Sequence, residues 1–209
     1  MARPVPKRQR RKEARPAEIR AAALQVFSER GFAAARLEDV AEVAGVSKAT
    51  IYLYFESKAD LFAAIVREIA TPRFDAIEKL IDTHEGPSGE LIDFILARLQ
   101  EVATTTELPA LLKIILAEAG NFPEIRNFYL EAVVLRAFKS LGRIIRRGIE
   151  RGEFRPCNIE AAVQDIIFPI LLNTIGRNTF GAIPQLDPDG FFSAHAEFVR
   201  RGLAADRGA

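Results

Sequence analysis

Apolar side chains return every three to four positions along nearly all of this 209-residue chain, and no β-branched alternation long enough for a strand interrupts them. That spacing lines up one stripe of a helix, whereas it would scatter the same residues over both faces of a strand. The chain is therefore read as all-α. Ile19, Ala22, Ala23, Val26 and Phe27 form the stripe of a first helix, with Pro16 in its first turn and Gly31 stopping it. Two short helices are expected at about 37–44 and 48–55, separated only by Gly45, Val46 and Ser47. A fourth starts after Ser57, where Asp60 completes an S-x-x-D capping pattern, and runs toward Leu80. Beyond the breakers Gly86, Pro87 and Gly89, helical stretches follow at about 88–104, 108–120, 124–151, 158–176 and 188–204.

Composition narrows the function classes. Hydrophobic residues make up 49% of the chain, which excludes a collagen-like or wholly disordered protein. The single Cys157 cannot form an intramolecular disulfide and suits a reducing compartment. No apolar segment follows the basic N-terminus, and no run of about 18 uncharged apolar residues occurs, so a cytoplasmic protein without a membrane partner is expected. The net charge of +1 conceals a split: residues 1–60 hold 12 Lys or Arg against 8 Asp or Glu, and the remainder 17 against 20. The basic excess is densest before residue 20, which points to an anionic partner for that end.

The segment Leu37–Phe55, LEDVAEVAGVSKATIYLYF, has the build of a helix-turn-helix. Leu37, Val40, Ala41 and Ala44 give the first helix a compact apolar face. Gly45 supplies the left-handed residue of a tight turn, and Val46 plugs the angle. Ser47 is a good N-cap. Ile51 and Phe55 face inward, leaving a short polar turn and two tyrosines outside. A helix this short adds little to a core, and entry into a DNA major groove explains its exposed residues. Lys48 and Thr50 can read base edges, with Ala49 touching a thymine methyl, while Ser47, Tyr52, Tyr54 and Lys58 can hold phosphates.

Residues 16–62 resemble the N-terminal domain of TetR-family transcriptional regulators. Gly31-Phe32, Asp39-Val40-Ala41, Ala44–Ser47, Thr50–Phe55 and Ser57–Leu61 match the family pattern in order and spacing. Two positions depart from it. Arg36 replaces the usual Thr or Ser before the second helix, where it can meet phosphate by charge but cannot cap. Ala49 stands where Gly is common. The charge-dense residues 1–14 are read as a basic disordered arm, and the resemblance implies a DNA-binding domain over 15–62 with its helix-turn-helix at about 36–55 and a helical ligand-binding and dimerisation domain over 63–209. It also implies a homodimer on a palindromic operator, most simply a repressor released by a small, largely apolar effector. The segment Leu116–Ile125, LAEAGNFPEI, looks like a subset of the family linked to efflux regulation.

Within the larger domain, Phe94, Arg98, Phe128, Phe168 and Asn173 are candidates for a ligand pocket, with Thr174 beside them. Helix 158–176 is apolar on two faces, with Phe168, Leu172 and Ile175 on the second. A dimer interface is expected on Ile159, Val163, Ile166 and Ile170, together with Phe192 and Val199 of the last helix. His84, His195 and Cys157 are scattered and lack metal-ligand spacing, and no phosphate loop or nucleophile motif occurs, so neither a metal, a cofactor nor catalysis is expected. The competing reading is a helical module that docks a protein or membrane surface without specific DNA binding.

Overall fold

A computed structural model describes residues 7–104, 107–181 and 187–205. The described residues form helices α1 (Lys7–Arg30), α2 (Leu37–Val43), α3 (Lys48–Tyr52), α4 (Lys58–Thr83), α5 (Ser88–Thr104), α6 (Glu107–Glu118), α7 (Pro123–Tyr129), α8 (Leu135–Glu150), α9 (Ile159–Phe180) and α10 (Pro188–Leu203). A π-helical turn, Leu130–Val134, joins α7 to α8, where a single helix was expected. The one extended pairing among the described residues is an isolated bridge between Phe154 and Ala204. The first helix starts earlier than the sequence suggests. Residues 7–14 continue α1, so Pro16 lies inside a helix and the expected disordered arm is corrected over that stretch; its residues 1–6 lie outside the described residues. Pro16 removes one backbone donor from α1.

The chain forms two compact units, divided differently from the expected break after residue 62. The first holds the chain up to Ala70 together with Lys113–Ala132; the second holds Thr71–Leu112 and the chain from Val133 onward. The first unit closes on the α1 stripe. Ile19, Ala23 and Phe27 are fully buried, and the Phe27 ring meets Phe32 at 5.3 Å and Phe62 at 6.3 Å between centroids. Burying each such ring is worth roughly 1.5–3 kcal/mol. Gly31 takes φ +78°, and this left-handed turn sends Phe32 back into the core that α1 has just left.

The second unit is a helical bundle whose core joins Leu91, Ile92 and Ile95 of α5 and Leu141, Ile144 and Ile145 of α8 to the apolar stripes of α9 and α10. Val163, Ile166 and Ile170 of α9 and Phe192 and Val199 of α10 are buried there, with Ile159 packed at the edge. The five buried side chains are taken by the protomer's own core, so their assignment to a dimer interface is corrected; Ile159, half-buried, keeps the place proposed for it. Of the two stripes on α9, this one is taken by the protomer's own core. The other carries Phe168 at 53% and Leu172 at 72% exposure, and Phe198 of α10 is 76% exposed.

Candidate nucleic-acid interface

The turn between α2 and α3 is built as its residues require. Gly45 sits at φ +62°, and the Val46 N–H donates to the Ala41 carbonyl at 2.9 Å. Ser47 is extended and caps α3, its Oγ accepting the Thr50 N–H at 3.1 Å and sharing a 2.8 Å bond with Thr50 Oγ1. Ile51 is fully buried and Phe55 nearly so, which fixes α3 to the unit by one face. The opposite face leaves Ser47, Lys48, Ala49 and Tyr52 exposed and Thr50 partly so. The helix is shorter than expected: it ends at Tyr52, and Leu53 follows at 79% exposure. Tyr54 lies half-buried, its ring 6.4 Å from that of Phe55.

Arg36 precedes α2 with an exposed side chain that makes no capping bond. Asp39 compensates by reaching back, its Oδ2 accepting the Arg36 N–H at 3.1 Å while its Oδ1 pairs with Arg30 at 2.8 Å. Lys48 projects from the first turn of α3, its ammonium 2.6 Å from Glu38 Oε1 and 5.8 Å from the centre of the Tyr52 ring. This bond holds the Glu38 carboxyl below its ordinary range and raises Lys48 above its own.

Lys58 is placed differently from the sequence expectation. Its ammonium donates to the carbonyls of Phe32 at 2.5 Å, Ala33 at 3.1 Å and Ala35 at 2.9 Å, and lies 4.5 Å from the centre of the Phe32 ring. All three donors are engaged by the α1–α2 loop, so in this geometry Lys58 is a clamp and has no donor left for a phosphate. Partial burial lowers its pKa. The same loop is gripped from its other side by the end of α6. Glu118, 8% exposed, accepts the Ala33 N–H at 3.1 Å, and Phe122 meets Phe32 edge-on at 5.1 Å. Sequence reasoning does not reach the pairing of Glu38 with Lys48, the exposure of Leu53 or the loop contact of Glu118, although it places Glu38 beside Asp39 at the positive end of the α2 dipole. The first two lie inside the helix-turn-helix motif, and Glu118 inside LAEAGNFPEI, but a buried acid 85 residues from its partner leaves no periodic signal.

Residues 19–65 match the description "Bacterial regulatory proteins, tetR family", and residues 90–200 match "AefR-like transcriptional repressor, C-terminal domain". The Bacillus subtilis HTH-type transcriptional regulator YfiR is 31% identical over 200 residues, covering 93% of this chain and 95% of its own. The chain belongs to the TetR family. Among solved structures, this TetR-family regulator is similar in fold to NalD of Pseudomonas aeruginosa, described as the secondary repressor of the MexAB-OprM multidrug efflux pump. That likeness has a TM-score of 0.75 at 24% identity, over 93% of this chain and 98% of NalD. It is also similar to the Bacillus subtilis regulator FadR, solved with stearoyl-CoA, at a TM-score of 0.72 and 21% identity over 90% and 98% of the chains.

The five residues expected to line a ligand pocket divide between the two units of this TetR-family regulator, and of the four in the second unit only Phe168 lines a groove on α9. Phe128 belongs to the first unit, under the Arg67 guanidinium at 4.8 Å. Phe94 is exposed on α5, and Arg98 lies 5.6 Å from its ring centre while pairing with Glu101 at 2.6 Å. Phe168 lies on the outer face of α9. That grouping is corrected: aromatic residues flanked by polar ones mark an exposed helix face as readily as a cavity wall. Asn173 is the exception, since its Nδ2 is buried without a partner among the described residues. Thr174 beside it bonds its own helix, Oγ1 to the Ile170 carbonyl at 2.8 Å.

Proposed function

We propose that this protein is a homodimeric repressor that reads a palindromic operator through α3 and leaves it when a small, largely apolar ligand binds the second unit. The observation that carries the DNA reading is the outer face of α3: a capped first turn presenting Lys48 and Ala49 exposed and Thr50 partly so, none of them in the unit's core. Lys48 and Thr50 read base edges, while Ser47, Arg36, Tyr52 and Tyr54 hold the backbone, and Lys58 positions the loop instead of touching phosphate. The helix-turn-helix segment from Arg36 to Ser57 carries two basic residues against four acidic ones, so it attracts DNA weakly by charge. The attraction comes from Lys7, Arg8, Arg10, Arg11, Lys12 and Arg15 ahead of it, which suit phosphates beside the main site.

The exposed stripe of α9 supports the dimer. From Ile159 to Arg177 this helix is apolar enough in length and composition to cross a membrane, yet only 28% of that stretch is buried within the protomer. Its outer face frames an open groove of about 620 Å³ lined by Gln164, Asp165, Phe168, Pro169, Leu171, Leu172 and Ile175. A carboxylate and an amide in that lining suit a second protein surface better than lipid, so a second copy of the chain covers it. The ligand class follows FadR, solved with the long-chain acyl thioester stearoyl-CoA. Asn173 is the polar anchor proposed for it. Regulation is then a population shift, the ligand favouring the dimer that does not fit DNA. A regulator of this kind works in the cytoplasm, beside the genome.

Enrichment of genomic fragments by the purified protein tests this reading. A few fragments sharing a two-fold symmetric sequence are expected, and release by long-chain fatty acids or their thioesters follows from the ligand class. Uniform retention of all fragments returns weight to the surface-docking module.

A further inference from the structure

Glu38 stands in the first turn of α2, and its carboxylate meets the ammonium of Lys48 at the start of α3 at 2.6 Å, with side-chain exposures of 58% and 45%. The pair therefore lies beside the exposed first turn of α3, on the side proposed to meet DNA. No fold requirement accounts for it, because α2 and α3 are already joined through Leu37, Val40, Ala41 and Ile51 beneath. A lone lysine on such a face is a flexible point charge that binds any phosphate within reach, and it loses rotamer freedom when it settles on one base. Lys48 is restrained in advance by Glu38 on one side and the Tyr52 ring on the other. An ammonium has three donors. One is given to Glu38, which leaves two, the number that O6 and N7 of a guanine accept in the major groove.

We propose that Glu38 is a positioning residue for sequence reading: it holds the Lys48 ammonium for a guanine edge and keeps it from phosphates. The inference rests on the reading of α3 as the DNA-contacting helix. Glu38 acts in two opposite ways on the two kinds of complex. On the operator it pre-orients Lys48 and so strengthens binding. On unrelated duplex it withholds a cation from the backbone and adds a repelling charge, and so weakens binding. Plain repulsion of DNA by an acidic residue would change both complexes in the same direction.

The test measures full-length wild-type, Glu38→Gln, Lys48→Met and double-variant protein against two duplexes: the sequence enriched by wild type from a random pool, and a scrambled version of equal length. Glu38→Gln is expected to weaken operator binding about threefold and tighten scrambled binding about threefold, within the range of exposed charge pairs. Its salt slope on scrambled duplex steepens by about 0.9, because the released ammonium now neutralises a phosphate. In the Lys48→Met background the operator loss disappears, and a guanine present in the wild-type consensus is no longer selected. Both sites are exposed, so circular dichroism should be unchanged. Equal tightening on both duplexes, or the same specificity loss without Lys48, overturns the proposal. If wild type enriches no sequence at all, the DNA-reading assignment itself fails, and the proposal with it.

Discussion

Lys58 illustrates how a residue's surroundings change its meaning. In the motif it looks like a phosphate ligand; in the fold it closes three carbonyls of the α1–α2 loop over the face of Phe32. Lys58→Met leaves those carbonyls without their donor and should cost about 1–3 kcal/mol in urea denaturation. The salt slope of DNA binding, by contrast, should stay unchanged; a slope flattened by about 0.9 would restore the phosphate role. A second residue-scale expectation concerns acid. Glu68 accepts two bonds from Arg20, one at 2.8 Å from Nη2, and these hold its carboxyl below the usual range. The unfolded chain takes up this proton first as pH falls, so the bond's contribution is present above about pH 4.5 and is lost through the lowered folded value. Glu68→Gln should therefore lose less stability than wild type between about pH 6 and pH 3.5, read from urea midpoints. Half of the side chain of Glu68 is exposed, so the difference is small.

At the scale of elements, α3 and its turn were legible because every local choice agreed. Gly45 had to turn left, Ser47 had to cap, and Ile51 and Phe55 had to face in. Helix order was legible for the same reason. The stripes of α9 were both visible in the sequence, yet which one the protomer keeps depends on α5, α8 and α10, and periodicity carries no information about partners. The grip of the α6–α7 turn on the α1–α2 loop was hidden for a related reason: it pairs one buried carboxylate with one backbone amide. Glu118→Ala should free the Ala33 amide, seen as faster hydrogen exchange, and weaken operator binding several-fold although Glu118 lies outside the DNA-facing surface. Unchanged exchange at Ala33 would mean the turn does not hold the loop. In the second unit, Gly148 in the last turn of α8 lies against the Phe154 ring so closely that a Cβ would overlap it. Gly148→Ala should cost about 1–3 kcal/mol or more in thermal or urea unfolding, because Phe154 is anchored by its pairing with Ala204.

For the whole molecule, the proposed reading places two copies of the chain on one two-fold symmetric operator, each contributing one α3. If a second copy covers the outer stripe of α9 as proposed, wild type scatters as about twice 23.2 kDa and Leu172→Arg as a 23.2 kDa monomer, with helix content intact. The same charge at Val163, in the protomer's core, should instead unfold the second unit. The near-balanced net charge also acquires a meaning at this scale, as the sum of a basic leading segment and a mildly acidic remainder. The most direct test of sequence-specific reading by a dimer is selection of duplexes from a random pool by the purified full-length protein, followed by sequencing. The expected result is a two-fold symmetric consensus with half-site centres about one helical turn, or a multiple of it, apart. Lys48→Met or Thr50→Ala is expected to alter the preferred bases. A pool that remains random after selection, or a consensus unaffected by both substitutions, would contradict it.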